Sequence, residues 1–241
     1  MAQTLQDDGY VYLTSDAAPV CWPRPLPEYF SRERILALGA RACGGRGKTL
    51  IWNEDGQALA LRHYIRGGLW GKAAGDRFIK FAPHAHRAFD EFRLLEAMRE
   101  QGLPVPRPLM ARERCSFGII RQDIVIEALA ARDLAAVLQE RKLTAAELAQ
   151  LGSTVREFFK AGVRHTDLNI RNILLGDDGK FWIIDFDRCF MDKADLKTQR
   201  QIIARLHRSF LKEQRRGGAF HYDDADFALL ECKAVDADAS R

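Results

Sequence analysis

Long apolar runs are missing from this 241-residue chain: none approaches the roughly 18–20 residues that a membrane-spanning helix needs. Met1 to Tyr10 is polar and acidic, which excludes a secretory signal there and makes a soluble cytoplasmic protein the expectation. Cysteine is scarce and scattered. Cys21, Cys43, Cys115, Cys189 and Cys232 are odd in number and none stands in a C-x-x-C pair, so a zinc ribbon, a redox pair and a disulfide framework are all excluded and reduced thiols are expected. Charge of one sign is also lacking. With 37 basic and 33 acidic residues the net charge is +4, without the strongly basic balance of a nucleic-acid binder, and no nucleic-acid partner is expected. The balance still permits a local basic patch for a phosphorylated or membrane-surface substrate. Internal repeats and low-complexity tracts are absent. What is present, 47% hydrophobic residues, suffices for one sizeable core or two small lobes.

The first ~30 residues, with prolines at 19, 23, 25 and 27, read as irregular. Gly44, Gly45 and Gly47 precede the β-prone Thr49-Leu50-Ile51-Trp52 and predict a hairpin turn. After the Asn53–Gly56 turn, Gln57 to Ile65 reads as a third strand. Ala85 to Gln101 reads as a helix stopped by Gly102 and Pro104, and two further strands end near Glu127. Beyond that seam the pattern turns helical. Thr144-Ala145-Ala146-Glu147 is a capping box, and Leu148, Leu151, Val155, Phe158 and Phe159 recur at helical spacing. Ile173–Leu175, a Gly176–Gly179 turn and Phe181–Ile184 form a hairpin. A last clear helix is expected over about 195–214, with Leu196, Ile203, Leu206 and Phe210 inward, before a frayed tail. The predicted class is therefore α+β: a β-rich half with one helix (1–126), then a mostly helical half (127–241), a bilobal arrangement in which a nucleotide could lie between the halves.

The strongest chemical signal lies between a helix end and the hairpin. His165-Thr166-Asp167-Leu168-Asn169-Ile170-Arg171-Asn172 is followed, after the second hairpin strand, by Asp185-Phe186-Asp187. This has the H-x-D-x-x-x-x-N … D-F form of kinase catalytic loops. Phosphoryl transfer needs an acceptor hydroxyl held in line and its proton accepted, which a carboxylate at Asp167 provides. A triphosphate needs a divalent cation that prefers oxygen ligands, and Asn172 and Asp185 offer an amide oxygen and a carboxylate. His165 is expected to brace the loop by hydrogen bonding. Asp177, Asp178 and Asp187 can be turn residues only.

Other candidates surround this core. Gly44, Gly45 and Gly47 can bring backbone N–H groups to phosphates. Arg62 occupies the strand position where kinases place a lysine for the α- and β-phosphates, with Lys48 on the glycine turn as a competitor. Glu91 shares a helix face with Leu94, Leu95 and Met98, so it wants a partner, which Arg62 supplies; Asp90 is the fallback. Glu127, at the seam, is grouped with these as a nucleotide contact. Basic runs follow the third strand (Arg62, Arg66, Lys72, Arg77, Lys80) and line the last helix (Lys197, Arg200, Arg205, Arg208, Lys212, Arg215, Arg216), suiting an anionic substrate at a membrane surface.

Arg62-His63-Tyr64-Ile65-Arg66-Gly67-Gly68, Glu91-Phe92, Leu103-Pro104-Val105-Pro106, the His165–Leu174 block and Ile184-Asp185-Phe186-Asp187 together resemble the bacterial 3-deoxy-D-manno-octulosonic acid (Kdo) kinases, in the lipopolysaccharide kinase branch of the protein-kinase-like fold. The resemblance runs from about residue 40 to 212. It implies ATP and Mg²⁺ as cofactors, the 4-hydroxyl of Kdo on a lipid A precursor as acceptor, and work at the cytoplasmic face of a Gram-negative inner membrane. Arg66-Gly67-Gly68 is a candidate for lining the acceptor site. Asp187 stands in place of the D-F-G glycine, Asn169 in place of a frequent lysine, and no A-P-E segment follows, so switching by activation-loop phosphorylation is not expected. A heptose kinase, an antibiotic phosphotransferase, an atypical protein kinase and a nucleotide-binding pseudokinase remain as alternatives.

Overall fold

The computed structural model describes residues 2–7, 9–15, 24–43, 49–65, 76–82 and 85–235. The chain divides into two compact units, one made of Met1–Ala97 and Pro106–Leu129, the other of Met98–Val105 and Ala130–Arg241. The three hairpin glycines, Lys48 and Arg66-Gly67-Gly68 lie outside the described residues.

The first unit is built on an eight-stranded antiparallel sheet. Its strands are β1 (Gln3–Asp7), β2 (Tyr10–Thr14), β3 (Arg41–Cys43), β4 (Thr49–Glu54), β5 (Gln57–His63), β6 (Phe78–Ile79), β7 (Pro108–Ser116) and β8 (Ile119–Glu127). Their order is β1-β2-β7-β8-β5-β4-β3, with β6 paired to β8. The described part of the amino-terminal stretch carries regular elements, where the sequence reading expected irregular chain. Gly9, at φ 73°, turns β1 into β2, and Ser31 caps a short helix α1 (Arg32–Ala37) after a 3₁₀ turn at Leu26–Phe30 whose early proline suits a helical start. Tyr12, Tyr29, Phe30 and Ile35 supply much of the core, packing on Leu50, Trp52, Leu59, Leu61, Met110 and Val125. Buried Glu54 anchors this segment: it pairs with Arg34 and accepts from Trp52 Nε1 at 2.9 Å.

Helix α2 (Arg87–Glu100) carries Phe92, Leu95 and Met98 on its buried face. Its start is tied to the sheet by fully buried Gln122, whose Oε1 accepts from Ala88 N (2.9 Å) and whose Nε2 donates to Ala85 O (3.0 Å). Orphan N–H groups at a helix start need such a partner.

The second unit holds β9 (Ala131–Asp133), α3 (Leu134–Glu140), α4 (Ala145–Lys160), β10 (Val163–Arg164), β11 (Ile173–Gly176), β12 (Phe181–Ile183), β13 (Phe190–Met191), α5 (Leu196–Gln214) and α6 (Asp224–Ala234). Strands β12-β11-β9 form one small antiparallel sheet and β10-β13 another. The Thr144–Glu147 capping box forms as expected, and the five apolar residues of its helix are buried. Two details of the helical half differ from expectation. Leu196 is only half-buried at the start of α5. A further helix, α6, follows Gly217-Gly218, closed by an Asp223–Asp226 capping box in which an aspartate replaces the Glu or Gln of the usual signature. Helices α4 and α6 approach very closely at Gly152, where a Cβ would lie 2.4 Å from Leu230 O. Among the described residues no helix is long and apolar enough to cross a membrane.

Candidate active site

The second unit presents the His165–Asn172 loop on buried pegs. His165, Leu168 and Ile170 point inward while Thr166, Asp167 and Arg171 are exposed. His165 braces the loop. Its Nδ1 accepts from Asp167 N at 3.2 Å, which leaves the proton on Nε2 to donate to Ile184 O at 3.1 Å. Burial pushes its pKa down, so the ring is held neutral and serves as a two-ended strut. Phe186 (1% exposed) wedges beneath, stacked on Phe158 with centroids 5.9 Å apart and leaning on His165.

The Asp167 carbonyl is held from the other side by the side-chain amides of Asn169 (2.9 Å) and Asn172 (3.0 Å). A carbonyl can only accept, so this contact fixes the Asn172 nitrogen toward the loop and leaves its amide oxygen as the atom available to a cation. The β11–β12 register opposes Ile173 to Ile183, and Ile184 N donates to Asn172 O at 3.0 Å, so the next residue, Asp185, emerges beside Asn172. Asp185 is exposed and has φ 64°, a left-handed conformation that Asp tolerates better than most residues and that is commonly retained at functional positions. One amide oxygen and one carboxylate are a poor cage for zinc but suit Mg²⁺, which keeps several waters and shares its shell with substrate phosphates. No cluster of three or more His, Cys, Asp or Glu side chains with metal-holding geometry occurs among the described residues.

Helix α5 supports the loop. Ile170 N donates to Ser209 Oγ at 2.9 Å, and Arg171 makes a two-pronged pair with buried Glu213 (Nε–Oε1 3.1 Å, Nη2–Oε2 2.7 Å). Arg205 Nη1 lies 3.5 Å from Asp167 Oδ1. Sequence reasoning missed Ser209 and Glu213. The available signal was Glu213 itself, an acid continuing the Ile203–Leu206–Phe210 stripe.

In the first unit, Arg62 on β5 pairs with Glu91 on α2, as expected; Glu91 is 3% exposed, whereas Asp90 faces solvent. Tyr64, two residues on from Arg62 and just past the end of β5, meets the same pair and was not foreseen. Its hydroxyl donates to Glu91 Oε2 at 2.6 Å and accepts from Arg62 Nη2 at 3.0 Å, and the Arg62 guanidinium lies 4.9 Å from its ring centre. Glu127 ends β8 with its carboxylate accepting from Arg107 N at 3.2 Å, so one of its oxygens is already engaged.

A carboxylate on a braced loop, with an amide oxygen and a second carboxylate brought alongside by a hairpin, is the arrangement that phosphoryl transfer of the kinase type calls for. The family model for the lipopolysaccharide kinase (Kdo/WaaP) family matches residues 40–228, and the chain belongs to that family. It is 42% identical over 222 residues to a 3-deoxy-D-manno-octulosonic acid kinase of Actinobacillus succinogenes, covering 87% of this chain and 92% of that one. Proteins of the same name from Mannheimia succiniciproducens (41% identity; 80% and 85% covered) and Vibrio cholerae (40%; 88% and 86%) are similarly alike.

Proposed function

We propose that this protein is an ATP- and Mg²⁺-dependent sugar kinase that phosphorylates the 4-hydroxyl of Kdo on a lipid A precursor. The observation that carries the reading is identity of about 40% to Kdo kinases along most of both chains. In this reading the two units are the lobes of a protein-kinase-like fold. The first supplies the nucleotide grip: Gly44, Gly45 and Gly47 on the phosphates, Arg62 on the α- and β-phosphates with Glu91 orienting it, and Glu127 near the base. The second supplies the chemistry. Asn172 and Asp185 would hold Mg²⁺, which neutralises charge on the triphosphate. Asp167 orients the acceptor hydroxyl and takes its proton as that oxygen bonds to the γ-phosphorus and the bond to the departing ADP oxygen breaks. The strut role of His165 supports this division, since a neutral ring with both nitrogens engaged is not placed to be the base.

In this reading the enzyme works at the cytoplasmic face of the inner membrane as a peripheral protein. Support comes from α5, where Arg208, Lys212 and Arg215 surround half-buried Leu211 on one helix face. Co-sedimentation with anionic vesicles that weakens with salt is expected, and indifference to lipid charge would remove this part. The reaction is tested by transfer from labelled ATP with Mg²⁺ to a Kdo-bearing lipid A precursor beside a Kdo-free one. Label on the Kdo-bearing lipid alone is expected; equal labelling of both, or transfer to neither with ATP still bound, would reject the acceptor.

A further inference from the structure

Beside Asp167 lies a hollow of about 180 Å³ in the second unit, lined in part by Arg164, Thr166, Phe190, Thr198, Gln201 and Arg205. Its cations are not equivalent. Arg164 Nη2 is held by Asp192 (3.0 Å) and by Lys193 O (3.0 Å). Arg205 makes only the 3.5 Å approach to Asp167 Oδ1 among the described residues, and both side chains are more than half exposed, 51% and 65%. Most of its N–H donors therefore have no acceptor among the described residues, although a guanidinium is built to grip a carboxylate with two parallel hydrogen bonds. Of the rest of the lining, the Gln201 amide and the Thr166 hydroxyl, which also reaches Asp187 O at 3.5 Å, suit sugar hydroxyl groups, and the exposed Phe190 side chain suits a C–H face.

We infer that Arg205 binds the carboxylate of the acceptor sugar acid in this hollow and so selects an acidic sugar over a neutral one. The inference rests on the acceptor reading above and deepens it. In Kdo the carboxylate is carried on C2 and the accepting hydroxyl on C4, with one ring carbon between. A group that grips the carboxylate must then stand next to the group that takes the hydroxyl proton, and Arg205 stands next to Asp167. A neutral heptose would leave the guanidinium without its anion and forfeit this contact.

The test compares wild type, Arg205→Gln and Arg205→Lys on the Kdo-bearing lipid and on the same lipid with the Kdo carboxyl methyl-esterified. Arg205→Gln is expected to raise acceptor KM by about 10- to 100-fold, the range for a charge-assisted hydrogen bond, with ATP KM within about twofold of wild type as the sign of an intact fold. Wild type should lose a similar factor on the ester, Arg205→Gln should not distinguish acid from ester, and Arg205→Lys should recover part of the loss. An Arg205→Gln enzyme that keeps the wild-type acceptor KM, or still prefers the acid by the wild-type factor, would overturn the inference. Failure of wild type itself to phosphorylate the Kdo lipid removes the acceptor reading and this inference together, and is seen without any variant.

Discussion

Asp167 and Asp185 sit on the same loop system but depend on it differently. Asp167 hangs from a backbone held at its N–H by His165 and at its carbonyl by Asn169 and Asn172, so its carboxylate can be altered without loosening the loop. With Asp167 in its proposed role of general base, Asp167→Ala should lower kcat by about 10²–10⁴-fold while ATP affinity stays near wild type, because a base acts only in the transition state. Wild-type turnover in single-turnover assays would refute the assignment. Asp185 occupies a left-handed conformation that Asn also tolerates, so Asp185→Asn is the informative change. It should abolish Mg²⁺-dependent turnover without a shift in thermal midpoint, whereas Asp185→Ala should add backbone strain to the same loss. Unimpaired turnover in Asp185→Asn with a normal Mg²⁺ titration would dismiss it as a metal ligand.

Among the elements, the contact of α4 with α6 is the most constrained. Gly152 lies within α4, where alanine would ordinarily stabilise a helix by about 1 kcal/mol. Here the added methyl would meet Leu230 O at 2.4 Å and Lys233 Cβ at 2.7 Å, so the helices must part. Overpacking of this kind costs about 1–3 kcal/mol, which exceeds the helical gain. Gly152→Ala should therefore melt below wild type, and an equal or higher midpoint would mean that the two helices are not in this contact. The helix α5 matters to the candidate site in another way: through Ser209 and Glu213 it fixes the His165–Asn172 loop, and through Arg205 it reaches Asp167.

Across the whole molecule, two histidines set opposite pH limits. His63 Nδ1 lies 2.5 Å from Asp123 Oδ1, and that hydrogen bond, outweighing burial, raises its pKa above the ordinary 6.5. Its stabilisation is complete below 6.5 and is lost as pH rises through the raised folded value, since the native state keeps the proton longer than the unfolded chain. Burial lowers the pKa of His165 below 6.5, so its contribution is present above 6.5 and is lost as pH falls toward the depressed folded value. Urea unfolding of wild type and His63→Gln should show the wild-type advantage shrinking as pH rises above 6.5. A constant difference from pH 6 to pH 9 would show that the His63–Asp123 pair does not contribute in this way.

The amino-acid sequence by itself determined what short stretches can specify. The Thr144–Glu147 box, the glycine turn of the β11–β12 hairpin, the apolar face of α2 that includes Glu91, and the His165–Asn172 and Asp185 residues were legible because caps, turns and periodicities depend on neighbours a few positions away. The tertiary structure alone decided which distant groups meet. It brought Tyr64 onto Glu91, Gln122 under the start of α2, and Ser209, Glu213 and Arg205 against the His165–Asn172 loop. It also brought Tyr29, Phe30 and Ile35 into the core of the sheet. Those pairings depend on strand order and on how each helix is turned on its axis. Both are fixed by burial summed over the whole fold, a quantity that no local window of sequence contains.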